Sequence, residues 1–131
     1  MTIAITLEHN EARLAGTLAF LDAGPEPARL RIYGGTRPAT PIEAPAGDFL
    51  VEIALTKPAG TIADGALTLT AVEDGLIQRS GIATWARFLN GEGASAFDAD
   101  AGEGPGPWEV QLVTTQLYAG GNATLVSAVL T

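Results

Sequence analysis

The chain has no cysteine and a single histidine, His9. Disulfides, thiolate catalysis and Cys-type zinc sites are thereby excluded, and neither a His-cluster metal site nor a histidine-based triad is expected. Cations are scarce too. Seven Lys and Arg face fifteen Asp and Glu, for a net charge of −8. That leaves little to replace the counterions of a phosphate backbone, so no nucleic-acid partner is expected. The acidic balance favours solubility and an electropositive partner. No apolar run reaches the about 18 residues of a membrane span, and no basic-then-apolar leader opens the chain. The expectation is therefore no membrane partner and synthesis in a cytoplasm. Charged residues make up only 17%. Such a surface suits a compact β domain, or one that buries much of itself in an assembly.

What is present reads as one domain over residues 1–131. The pattern predicts a mainly β fold: an antiparallel, jelly-roll-like β-sandwich of seven to eight strands over 28–131, behind one N-terminal helix over 6–23. Leu14, Leu18 and Leu21 recur at helical spacing, with Leu7 and Ala15 nearby. Thr6 suits an N-cap, and Gly24, Pro25 and Pro27 end the helix. From Ala28 the period becomes two. Leu30 and Ile32 oppose Arg29, Arg31 and Tyr33. Phe49, Val51, Ile53 and Leu55 share a face, and Lys57 to Gly65 reads as a turn region. Ala66–Val72, Trp108–Val113 and Asn122–Leu130 alternate in the same way. The stretch Gly81 to Ala101 reads as a hairpin turning at Asn90-Gly91-Glu92-Gly93, because Asn-Gly tolerates the positive φ of a primed turn. A β-branched residue at Gly91 is expected to disturb that turn.

Candidate chemistry is thin. Asp98 and Asp100 lie on one strand face with Glu103 close behind, a weak metal-binding or acid–base set. The plainer reading is the solvated outer face of an edge strand. Gly34-Gly35-Thr36-Arg37-Pro38 follows a strand rather than opening a helix, which argues against a phosphate cradle. Trp85, Trp108, Tyr33 and Tyr118 could make a sugar-stacking platform, but core packing accounts for them better. Nothing sets a nucleophile beside a base. Neither an enzyme activity nor a cofactor is expected.

Nearly the whole chain, in order and most specifically at Ile32 to Ala39 and Ala83 to Arg87, nevertheless resembles a family of small proteins encoded among the structural genes of tailed bacteriophages and prophages. The family pattern K-I-Y-S-G-T-R-P-A is met by Arg31-Ile32-Tyr33-Gly34-Gly35-Thr36-Arg37-Pro38-Ala39, and G-T-A-T-W-x-R by Gly81-Ile82-Ala83-Thr84-Trp85-Ala86-Arg87. The helix ends on Asp22-Ala23-Gly24, as in that family, and contains a matching Ala12-Arg13. Gly34 stands where the family has Ser, and Gly104-Pro105-Gly106-Pro107 replaces a shorter polar loop. The resemblance implies a non-enzymatic virion protein made in the bacterial host. Capsid decoration of the head lattice is the leading role, with a tail or neck accessory, or a carbohydrate- or receptor-binding β domain, as alternatives. It further implies a homo-oligomer, dimer or trimer, that meets other virion proteins such as the major capsid protein. Arg31, Tyr33, Arg37, Trp85 and Arg87 become the candidate interaction residues.

Overall fold

The structure, a computed structural model, describes residues 4–131. It is mainly β with one helix, but the strands close into a barrel rather than stacking as two sheets. The elements are α1 (Leu7–Leu21), β1 (Arg29–Tyr33), β2 (Val51–Ala63), β3 (Ala66–Ala71), β4 (Gly75–Leu76), β5 (Gly81–Ile82), β6 (Trp85–Leu89), β7 (Ser95–Glu103), β8 (Val110–Leu112), β9 (Gln116–Leu117), β10 (Asn122–Ala123) and β11 (Leu125–Leu130). Seven of them form the barrel in the order β1-β2-β3-β11-β8-β7-β6, with β6 returning to β1. All neighbours are antiparallel except β7 and β8. Two short pairs, β4 with β10 and β5 with β9, lie outside it.

The expected sandwich is thus corrected. Alternation reports only that each strand has one buried face; two stacked sheets and one closed sheet satisfy it equally. Leu30 and Ile32, Val51, Ile53 and Leu55, Leu67 and Leu69, and Val110 and Leu112 are all buried, as their parity requires. Ala86, Ala99, Ala101 and Ala128 join them. Four alanines among these larger residues suit the narrow interior of a small barrel.

The helix behaves largely as its sequence predicts. Thr6 is the N-cap, its Oγ1 accepting from His9 N at 3.1 Å. Thr6→Ala should therefore cost about 1 kcal/mol in a denaturant titration. Leu14 and Leu21 are buried and Leu18 packs on the same core, whereas Leu7 and Ala15 are exposed. The helix lies against β2 and β3. Asn10 Nδ2 donates to Gly65 O at 3.2 Å, Gly65 N to Glu11 Oε2 at 3.0 Å, and Ala59 N to Asp22 Oδ1 at 2.9 Å. By register, this is the end of the barrel where β1, β3 and β7 begin and β6 and β11 finish.

Three local expectations need correcting. First, Lys57 to Gly65 is not a turn region: β2 runs on to Ala63, and only Asp64 (φ 52°) and Gly65 (φ 77°) turn the chain. The register shifts between Leu55 and Gly60, a bulge that absorbs Pro58 within a strand. Second, Phe49 precedes β2 and lies outside the barrel rather than among Val51, Ile53 and Leu55. Third, the hairpin β6–β7 forms, but neither Asn90 nor Gly91 has a positive φ; Gly93 does, at 84°. Asn90 shapes the turn by another route, its Oδ1 accepting from Glu92 N (3.0 Å) and Ala94 N (2.9 Å). Gly91 is needed for space, since a Cβ there would run into the carbonyl oxygens of Glu26 and Ala23. Gly91→Val should destabilise by about 1–3 kcal/mol through that clash, and Gly91→Ala should share most of the loss in thermal unfolding.

Candidate interaction surface

Successive residues of a strand face opposite ways, so Arg31 and Tyr33 on β1, and Trp85 and Arg87 on β6, share the outside of the barrel wall. The register places Arg31 opposite Arg87, and Tyr33 opposite Trp85. On the far side of β6, Arg87 meets Asp98 and Trp85 meets Asp100. The five candidate interaction residues thus converge on one patch, and they draw in two of the three candidate carboxylates.

The patch is not a solvated face. The segment of residues 34–50 between β1 and β2 folds over it, and β6 is buried along its whole length. Arg87 Nε and Nη2 make a two-pronged bond to Asp98 Oδ1 (2.7 Å) and Oδ2 (3.0 Å), while Nη1 donates to Glu43 O at 2.8 Å. Both side chains are nearly sealed, at 6% and 5% exposure. The Asp98 carboxylate holds the Arg87 guanidinium above its ordinary range, against the opposing effect of burial. Asp98 on a solvated edge strand is therefore corrected to a buried ion pair on an interior strand of a closed wall. Beside it, the Trp85 indole stacks on the Tyr33 ring with centroids 4.4 Å apart and planes 10° off parallel. The Arg87 guanidinium carbon lies 5.4 Å from the indole centre. Trp85 is 2% exposed, and its Nε1 meets no acceptor among the described residues.

Around this centre the patch becomes more open. Arg31 Nε donates to Glu52 Oε2 at 2.7 Å, which raises the Arg31 pKa against its partial burial. Arg29 reaches the same carboxylate at 3.6 Å. The Arg31 and Arg79 guanidiniums both lie over the Phe49 ring, at 5.0 and 5.4 Å. Arg37 pairs with Asp100 at 3.2 Å across an exposed stretch. Such a pair is worth at most about 1 kcal/mol, so Arg37→Ala should leave the denaturation midpoint almost unmoved. Thr84 Oγ1 donates to Gly35 O at 2.6 Å and fastens the start of the covering segment.

The candidate metal set does not assemble. Asp98 is taken by Arg87 and Asp100 by Arg37, while Glu103 accepts from Thr115 Oγ1 at 3.2 Å. No group of three His, Asp or Glu side chains is placed to hold a metal among the described residues. Nor do the aromatics make a platform. Tyr33 and Trp85 are buried and Tyr118 stands apart at 66% exposure. Trp108 is half-buried, its indole laid over Gly102 and Gly106 and its Nε1 donating to Gly104 O at 2.9 Å. It closes its own loop rather than filling the barrel with Val110 and Leu112.

Sequence reasoning missed Glu52, Phe49 and the covering role of residues 34–50. Glu52 had a signal: outward parity and a sign opposite to Arg31. Asp98 had none: pairing the hairpin straight back from its turn sets Ala96 opposite Arg87, and only the register shift between Phe88 and Leu89 brings Asp98 there. Comparison of the chain with protein-family models, curated proteins and solved structures finds no match.

Proposed function

We propose that this protein is a non-enzymatic structural component of a bacteriophage or prophage particle, with decoration of the head lattice as its role. The observation that supports this reading is the pairing of β1 with β6. The two segments that carry the family resemblance, Arg31 to Ala39 and Gly81 to Arg87, are neighbours in the wall, joined by the Tyr33–Trp85 stack and the Arg31–Arg87 register. Their shared residues thus serve one rigid construction and converge on no open cleft. A particle component needs such a wall, because it must keep its shape while many copies bind a repeated surface. The low-charge exterior fits the same purpose.

The experiment is to induce or infect the bacterial source, purify particles on a density gradient, and probe the fractions for this protein. It should band with particles, and gold-labelled antibody should mark heads. Label confined to tails or necks would move the role to a tail or neck accessory. Protein found only in the soluble fractions would overturn the proposal.

A further inference from the structure

The second half of α1 has no charged residue on any side. Leu14 to Leu21 reads LAGTLAFL, yet Ala15, Gly16, Ala19 and Phe20 are exposed. A helix apolar all round is ordinarily a buried one. Here one side rests on the barrel and the other is open. Along the open side runs a groove of mixed polar and apolar lining between the helix and the barrel wall. Two adjoining cavities of about 300 and 380 Å³ make it up, lined principally by Arg13, Gly16, Thr17, Phe20, Phe97 and Leu130.

Two features of this groove are unexplained by the chain's own packing. Gly16 has a negative φ, and a Cβ there would meet nothing within 4 Å. Glycine in a helix interior is destabilising relative to alanine, and the monomer gains nothing from it. A close approach by another backbone would use it. The second feature is Arg13. The other arginines (29, 31, 37, 79 and 87) pair with carboxylates, and Lys57 Nζ donates to Gly24 O. Among the described residues the Arg13 guanidinium bonds only Asn10 Oδ1, at 3.1 Å on its own helix.

We infer that the open face of α1 beside this groove is a self-association surface, and that its occupant is α1 of a second copy of this chain, laid antiparallel. A two-fold contact is self-complementary: residue i meets j, and j meets i. Place the axis between Gly16 and Thr17, and residue 13 of one copy faces residue 20 of the other. Arg13 then meets the partner's Phe20, and the reverse contact repeats it. Each guanidinium gains an aromatic face, and each exposed ring, now 45% open, is covered. Arg13 and Phe20 are seven residues apart on their own helix, about 10 Å along the axis, so they cannot satisfy each other within one chain. Gly16 lies at the crossing, with Ala12 and Ala19 to either side. This contact lies on the barrel end away from the Arg37–Asp100 pair, and it does not depend on the particle role.

Light scattering after size exclusion, over a wide concentration range, tests it. The wild-type protein should have twice the 13.4 kDa chain mass. Ala19→Glu, which faces solvent in the monomer, should weaken the dimer at least a hundredfold while leaving thermal unfolding of the diluted monomer unchanged. Arg13→Ala and Phe20→Ala should each weaken it about tenfold and the double variant little further. Gly16→Ala should stabilise the dilute monomer while weakening the dimer. A strict monomer at millimolar concentration overturns the inference. So does an oligomer that is indifferent to Ala19→Glu, or one in which the Arg13 and Phe20 losses simply add.

Discussion

Trp85→Ala should strip the domain of a large part of its stability. The side chain is almost fully buried, and deleting a buried Trp costs about 3–5 kcal/mol. A domain of this size has about 5–15 kcal/mol in all. The loss is specific: the Tyr33 ring loses its stacking partner, the Arg87 guanidinium its aromatic face, and residues 34–50 the floor they rest on. Trp85→Phe separates these effects. It keeps an aromatic face for Tyr33 and removes an indole N–H that meets no acceptor, a group that costs about 1–3 kcal/mol when buried. Phe should therefore cost well under half of what Ala costs. Urea titrations of the two variants check this, and equal losses would show that a ring kept at this position, with its stack and its volume, contributes nothing.

Asp98→Ala carries the second large effect. It strips the buried Arg87 of both prongs of its carboxylate and leaves the Glu43 carbonyl as its only hydrogen-bond acceptor among the described residues. An uncompensated buried charge costs about 3–5 kcal/mol, so this variant should lose as much as Trp85→Ala although a far smaller side chain is removed. Arg87→Met in the same chain should recover most of the loss, because a buried pair replaced by apolar side chains of similar volume is often near neutral. The double-mutant cycle measured by denaturation checks it. A strongly negative coupling is expected, and simple additivity would mean that water already reaches the guanidinium.

These two side chains also show how far the sequence could be read. Trp85 and Arg87 fall at alternate positions of a strand that was legible from its β-branched and aromatic residues, and so did their opposition to Ala86 and Phe88. What alternation could not say is that the Trp85 side is also covered. That depends on where residues 34–50 travel, and a stretch with three prolines has no period to follow. The same limit explains the sandwich. Leu30, Ile53, Leu67 and Leu112 announce buried faces, but the closing contact is β6 on β1, between residues more than fifty positions apart, and local pattern does not encode it. Helix α1 was legible almost to its ends because its cap and stops, Thr6 and Gly24, act locally. The candidate patch was legible as a set of residues through the family resemblance, whereas its ion pairing came only with the register.

The strand order has a consequence for how the protein is made. β11, the last strand in the chain, lies between β3 and β8. As the chain leaves the ribosome, β1, β2, β3, β6, β7 and β8 can all emerge before the wall is able to shut. Until Leu125 to Leu130 arrives, β3 and β8 each present a bare edge, the kind of template that recruits foreign strands. Closure over so long a stretch of chain is slow, in the millisecond-to-second range for folds of this type. Closing the wall therefore waits for β11, and a ribosome stalled before Leu125 would release a sheet with two open sides.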